Sequence, residues 1–174
     1  NYFTNIKNNK IFNNYNQSEI IIIGSLLEKE GLDWTSHCVI LPRLTPTQYL
    51  RLNGAADVYL DSPSWSGGNT SLEAIAYGLP VVTKTGETMR ERHTSAMLIG
   101  MDMREWVADS YDEYVELAVA LGQDDALRQT VRDAIQTRSH LLYEQGEPVR
   151  ALAQFLEGAV GKRAPQRLDL LSSH

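Results

Sequence analysis

Apolar and polar positions follow two different periods along this chain, and the switches between them mark its elements. Short apolar runs at Glu19–Gly24, His37–Leu41, Asp57–Asp61 and Pro80–Thr83 fit buried strands, and Trp106-Val107-Ala108 fits one more. Elsewhere apolar residues recur every three or four positions. That spacing predicts a short helix or turn over Leu26–Gly31 and helices over Thr45–Gly54, Asn69–Tyr77, Glu87–Ile99, Ser110–Leu121, Asp124–His140 and Pro148–Gly158. Local punctuation agrees. Thr45 suits an N-cap and Pro46 the first helical position, Asp109-Ser110 and Asp124-Asp125 suit caps, and Gly78 suits a C-terminal stop. Strands alternating with helices predict an α/β fold, a parallel sheet flanked by helices and followed by a helical C-terminal segment. No internal repeat is visible.

In such sheets ligands sit beyond the carboxyl ends of the strands, often at a helix N-terminus. The stretch Asp61-Ser-Pro-Ser-Trp-Ser-Gly-Gly-Asn-Thr-Ser-Leu-Glu73 occupies that position. It predicts a strand end, a loop rich in Gly and Ser, and then a helix. Unpaired N–H groups and the positive end of the helix dipole gather at such a start, and Gly67 and Gly68 carry no Cβ to keep a ligand off the backbone. This is the physics of an anion site, with a diphosphate the commonest occupant. The next loop, Lys84-Thr-Gly-Glu-Thr88, follows the next strand, so the two loops are expected side by side around one pocket.

Each candidate residue has two readings. Asn69, Thr70 and Ser71 fit a diphosphate site and also fit simple N-capping. Glu73 fits a ribose-binding carboxylate, while Thr70-Ser-Leu-Glu73 also reads as a capping box. Gly67 and Gly68 fit close ligand approach or a turn. Lys84, Arg90, Arg92 and His93 fit compensation of charge on a leaving diphosphate, or solvated surface. Asp57 and Asp61 lie four residues apart on one strand, about 13 Å at the usual rise, so they read as strand-end capping groups and not as an acid/base pair. Trp65 and Tyr49 fit base stacking, or the core and its rim.

Composition trims the alternatives. The 174 residues suffice for one domain with a real core, at 43% hydrophobic and 22% charged. The net charge of −6, with no basic stripe interleaved with aromatics, argues against nucleic acid as a partner. Cys38 is the one cysteine and sits in an apolar run, which suits a buried thiol. No Cys/His cluster or Asp-X-Asp motif offers a metal site, so neither metal nor other cofactor is expected. No apolar run is long enough for a membrane span or a signal segment, and a cytoplasmic location is expected. Residues 1–16 hold seven asparagines and the remaining 158 only two, Asn53 and Asn69, while all eleven arginines lie from Arg43 onward. Residues 1–18 are therefore read as a flexible leader, 19–160 as the ligand-binding domain and 161–174 as a tail.

Ser66-Gly-Gly-Asn-Thr-Ser-Leu-Glu-Ala74, Gly78-Leu-Pro-Val-Val-Thr83, Gly86-Glu-Thr-Met-Arg90 and Arg92-His-Thr94 resemble the O-GlcNAc transferase/SPINDLY-like glycosyltransferases, family forty-one. Leu41-Pro-Arg-Leu44, Ala56–Asp61, Asp112–Ala118 and Arg138-Ser-His140 extend the likeness over roughly residues 32–158. The resemblance implies the Rossmann-like C-terminal half of a GT-B fold. This half holds a nucleoside-diphosphate sugar, UDP-GlcNAc foremost, without metal. By the resemblance, the partner is a protein whose Ser or Thr receives the sugar, engaged through an N-terminal catalytic half or helical repeats that this chain lacks. It places the donor on Gly67, Gly68, Asn69, Thr70, Ser71, Glu73, Lys84, Gly86 and Arg90. Gly68-Asn69-Thr70 stand where animal members have His-Thr-Thr, and Glu73 stands for their ribose aspartate. No general base is evident. Two other readings stay open: a non-catalytic remnant or interaction module on the same fold, and another GT-B enzyme with a different donor.

Overall fold

The computed structural model describes residues 10–13, 24–143 and 145–162. They divide into two compact units, Asn1–His140 and Leu141–His174. The first unit begins with strand β1 (Lys10–Asn13), helix α1 (24–29), a single helical turn α2 (Trp34–His37) and strand β2 (Cys38–Leu41). Strand β1 pairs in parallel with β2, with Lys10 opposite Cys38 and Asn13 opposite Leu41. Four residues of the stretch read as a leader, Lys10–Asn13, thus join a sheet. The expected strand at Glu19–Gly24 lies outside the described residues except for Gly24, which opens α1.

Helix α3 (Pro46–Ala55) starts where its caps dictate. The Thr45 hydroxyl accepts from the Gln48 N–H while the Gln48 side chain accepts from the Thr45 N–H, and Pro46 takes the first position, where no N–H is needed. Strand β3 (Tyr59–Leu60), helix α4 (Asn69–Ala76), strand β4 (Val81–Lys84), helix α5 (His93–Gly100) and strand β5 (Val107–Ala108) then form two parallel crossover units, with sheet order β3-β4-β5. Strand β3 is shorter than the expected 57–61, because only Tyr59 and Leu60 pair in register with Val81 and Val82.

Val81, Val82 and Thr83 are buried, as a strand covered on both faces requires. Around them pack Ile75, Leu79, Leu98, Met103, Val107, Leu121 and Ile135, each 1% exposed or less. Each such side chain contributes about 1.5–3 kcal/mol. Helix α4 stops at Gly78, whose φ of +67° is left-handed; a Cβ there would also lie 3.2 Å from Gln136. The expected helix over 87–99 is two pieces, a 3-10 turn at Met89–Glu91 and then α5. The break has a local cause, since Glu91 folds back to accept from the N–H groups of Glu87 and Thr88. Helices α6 (Tyr111–Gln123) and α7 (Asp125–Arg138) are capped by Ser110 and Asp124, as the sequence predicts. Arg128 of α7 reaches Asp57, and Arg132 donates to the Ala56 carbonyl, fixing the approach to β3.

In the second unit, helix α8 (Gly146–Lys162) repeats apolar residues at Val149, Leu152, Leu156 and Val160. It runs two residues into the stretch expected as tail. No helix among the described residues is long and apolar enough to cross a membrane.

Candidate donor-phosphate site

The loop between β3 and α4 is built on Asp61. This side chain is 1% exposed and ends the strand. Its Oδ1 accepts from the Gly67 N–H at 2.7 Å, and its Oδ2 accepts from the hydroxyls of Ser66 at 2.8 Å and Thr83 at 2.6 Å. Its carbonyl accepts from the Tyr114 hydroxyl of α6 at 2.8 Å. No ion pair involves Asp61 among the described residues; neutral donors surround it. Asp61 therefore does cap a strand end, but across a buried network. Thr94, at the start of α5, extends that network. Its N–H donates to Ser66 Oγ at 2.9 Å, its hydroxyl reaches the Gly67 carbonyl at 3.2 Å, and the Ser71 hydroxyl lies 2.7 Å away.

Helix α4 begins at Asn69, with Gly68 as a cap that supplies no side-chain hydrogen bond. The capping box expected at Thr70–Glu73 does not form, because Thr70 lies inside the first turn and not before it. Among the described residues, the N–H groups of residues 68–71 consequently have no side-chain acceptor, and the positive end of the helix is left open. Asn69 and Thr70 are exposed, and the Thr70 hydroxyl accepts from Tyr59 at 3.1 Å. Ser71 is fully buried with its hydroxyl on Thr94. Of its expected contributions, only the N–H remains available to a ligand. The Glu73 carboxylate is half-buried and takes part in no hydrogen bond or ion pair among the described residues.

The two glycines differ. A Cβ on Gly67 would fall 2.3 Å from Ser71 Oγ and 2.7 Å from both Thr70 Oγ1 and the Tyr59 hydroxyl. A Cβ on Gly68 would meet nothing within 4 Å. Gly67 is a packing glycine and Gly68 borders open space.

The loop after β4 lies alongside, as expected: the Ser66 N–H donates to the Arg90 carbonyl at 2.8 Å. Lys84 stands at the end of β4 with its ammonium on the Thr85 carbonyl, 5.0 Å from the centre of the Tyr111 ring. The Arg90 guanidinium lies over Trp65, 5.5 Å from the ring centre. Trp65 is thus neither core nor free to stack without moving that cation. Arg92 Nε donates to the Gly86 carbonyl at 2.7 Å, which makes Arg92 a loop brace. Gly86 is required by close packing, since a Cβ would sit 2.5 Å from Glu91 Cβ. Hydrogen bonds from the Thr88 backbone and hydroxyl, and from Glu87, hold the Glu91 carboxyl below its ordinary range. His93 opens α5 and is half-buried.

On the other flank, burial first, then the nearby Tyr59 and Glu73, push the Tyr49 phenol up to about 12. Tyr49 and Asn53 thus face the same side as Glu73, and Asn53 Nδ2 is buried without a partner among the described residues.

Ser66 and Thr94 are site-building residues whose role the sequence did not single out, and Asp61, read as a strand-end cap, is the acceptor at their centre. Their contacts join positions up to 28 residues apart, beyond any periodic signal.

Residues 18–144 match the family described as Glycosyl transferase family 41. The chain is 33% identical over 96 residues to the UDP-N-acetylglucosamine–peptide N-acetylglucosaminyltransferase of Caenorhabditis elegans, which covers 55% of this chain and 8% of that protein. It is 30% identical over 100 residues to the probable enzyme SPINDLY of Petunia hybrida, covering 58% of this chain and 11% of that protein. Among solved structures, a mutant O-GlcNAc transferase of Thermobaculum terrenum superposes with a TM-score of 0.67 at 30% identity, over 83% of this chain and 27% of that one. The chain thus spans about a tenth of these curated relatives and about a quarter of the solved structure.

Proposed function

This chain belongs to glycosyl transferase family 41, and from that premise we propose that it is the donor-binding part of a glycosyltransferase that acts on proteins. The observation that carries the reading is the uncapped start of α4 beside Gly68. The N–H groups of residues 68–71 take the diphosphate of a nucleoside-diphosphate sugar, with the Asn69 and Thr70 side chains at its edge. Glu73, one turn along the same helix and in no hydrogen bond or ion pair among the described residues, accepts from the ribose hydroxyls. Relatives named for transfer from UDP-N-acetylglucosamine to peptide support UDP-GlcNAc as the donor.

In the transfer, a Ser or Thr hydroxyl of the acceptor attacks the anomeric carbon. The bond from that carbon to the diphosphate oxygen breaks, and the nucleoside diphosphate leaves. Negative charge builds on the departing oxygen, and the aligned N–H groups and helix dipole stabilise it without reorganising. Lys84 and Arg90 add cationic charge nearby, and no metal is needed. The proton of the acceptor goes to a base outside this chain.

Calorimetry with UDP, GDP and UDP-GlcNAc tests the reading. UDP ligands should bind in preference to GDP. Thr70→Ala and Glu73→Ala should each weaken binding about tenfold, the worth of one good hydrogen bond to a charged group. If the parent ignores all three ligands at about millimolar concentration, the donor reading fails and a non-catalytic module on this fold takes its place.

A further inference from the structure

We propose that Thr94 and Asp61 are positioning residues: by clamping the Gly67 backbone from both sides, they aim the Gly68 N–H at the diphosphate. The assignment rests on the donor-site reading above and deepens it.

The available protons fix the direction of each bond in the cluster. A carboxylate only accepts and a hydroxyl has one proton to give. Ser66 and Thr83 both lie within hydrogen-bond distance of Asp61 Oδ2, the strongest acceptor in reach, so their protons point there. Ser66 Oγ also lies 2.9 Å from Thr94 Oγ1, but its one proton goes to the carboxylate, the stronger acceptor, and Ser66 Oγ accepts from the Thr94 N–H. The Gly67 carbonyl also only accepts, and the hydroxyl facing it is that of Thr94. Ser71, 2.7 Å from Thr94 Oγ1, donates to Thr94 in turn. Every proton is used once, and each buried hydroxyl is satisfied.

The outcome fixes Gly67 at both ends. Its N–H is held by Asp61 and its carbonyl by Thr94, which is 0% exposed. The peptide joining Gly67 to Gly68 is trans and planar, so its C=O and N–H point in opposite directions. With the carbonyl turned inward, the Gly68 N–H is turned outward. No group among the described residues accepts it. Residue 68 borders open space on the side where a Cβ would stand. A buried cluster touching no ligand therefore sets the direction of the first N–H that meets one.

The test uses the full chain, labelled with nitrogen-15 and titrated with UDP, alongside Thr94→Val and Thr94→Ser. Valine keeps the shape of Thr94 and its N–H but deletes the hydroxyl; serine keeps the hydroxyl. The Gly68 amide resonance should move with UDP saturation in the parent. Thr94→Val should weaken UDP binding about tenfold, and Thr94→Ser should restore it to within about twofold. A folded Thr94→Val variant with parental UDP affinity overturns the assignment, as does UDP binding that leaves the Gly68 amide unmoved. Should Thr94→Val not fold, the Gly68 amide of the parent decides alone. Absence of UDP binding by the parent is a different failure: it removes the donor-site reading, and this assignment with it.

Discussion

Two loops follow neighbouring strands of one sheet, and each is tied down by a carboxylate, yet the two ties differ in kind. After β3, Asp61 lies in the interior and receives a backbone N–H and two hydroxyls drawn from its own loop and from β4. After β4, Glu91 lies at the surface and receives the N–H groups of Glu87 and Thr88, its own near neighbours. A buried acceptor strengthens each bond it makes and makes each broken one costly. A surface acceptor competes with water. The first loop is therefore built to hold one geometry, as preorganised N–H groups require, and the second to hold a shape at low cost for change. The cations Lys84 and Arg90 flank the second loop, where movement toward a ligand is cheapest.

Breaking the buried tie should have the largest effect. Asp61→Ala strands the donors of Ser66, Gly67 and Thr83, at about 1–3 kcal/mol each. Urea denaturation should show a loss of roughly 3 kcal/mol or more; a loss below about 1 kcal/mol would mean that the cluster is not the anchor described. Next comes the contrast between the glycines. Gly67→Ala should cost about 1–3 kcal/mol through overpacking against Ser71, Thr70 and Tyr59. Gly68→Ala should change stability by less than about 1 kcal/mol while weakening UDP binding several-fold, because its Cβ enters the ligand's approach. Equal behaviour of the two variants in melting and in calorimetry would erase the distinction.

The smallest effect belongs to Glu91. Its carboxyl is held below the ordinary value of 4.5, so its contribution to stability is complete above that value. The contribution fades only as pH falls through the lowered folded-state value. Protection of the Glu87 and Thr88 amides from exchange, taken relative to the intrinsic rate at the same pH, should fall at that acid end, and Glu91→Gln should lower it at neutral pH with little change in global melting. Protection at those two amides that does not change with acid would show that the tie is not made by the carboxylate.

What could be read from the sequence follows the range of the interactions concerned. The start of α3 at Thr45-Pro46, the caps Ser110 and Asp124 and the stop at Gly78 are set by partners within four residues, and all form as read. The apolar run of β4 was legible because both its faces are buried. Near misses came where a local signal competed with another. Thr70–Glu73 has the pattern of a capping box, but the helix starts earlier, at Asn69, and leaves the box unformed. The helix read over 87–99 gives way because Gly86 and Glu91 pack against each other and fold the first turn back. The open start of α4 beside Gly68 was legible, since glycines and a helix start are local features. Its foundation was not. Thr94 looks like any helical threonine until the fold sets its hydroxyl against Gly67, 27 residues earlier.

The stacking of Arg90 on Trp65 turns the molecule into its own optical gauge. Trp65 is 68% exposed, and Trp106, at 8%, is shielded. Emission from Trp65 should lie to the red of that from Trp106 and respond to the cation above it. An anion that draws Arg90 off the indole changes the quantum yield of Trp65 and leaves the other two rings, Trp34 and Trp106, as an internal standard. Stopped-flow fluorescence could thus time the arrival of a ligand at the second loop without any added dye.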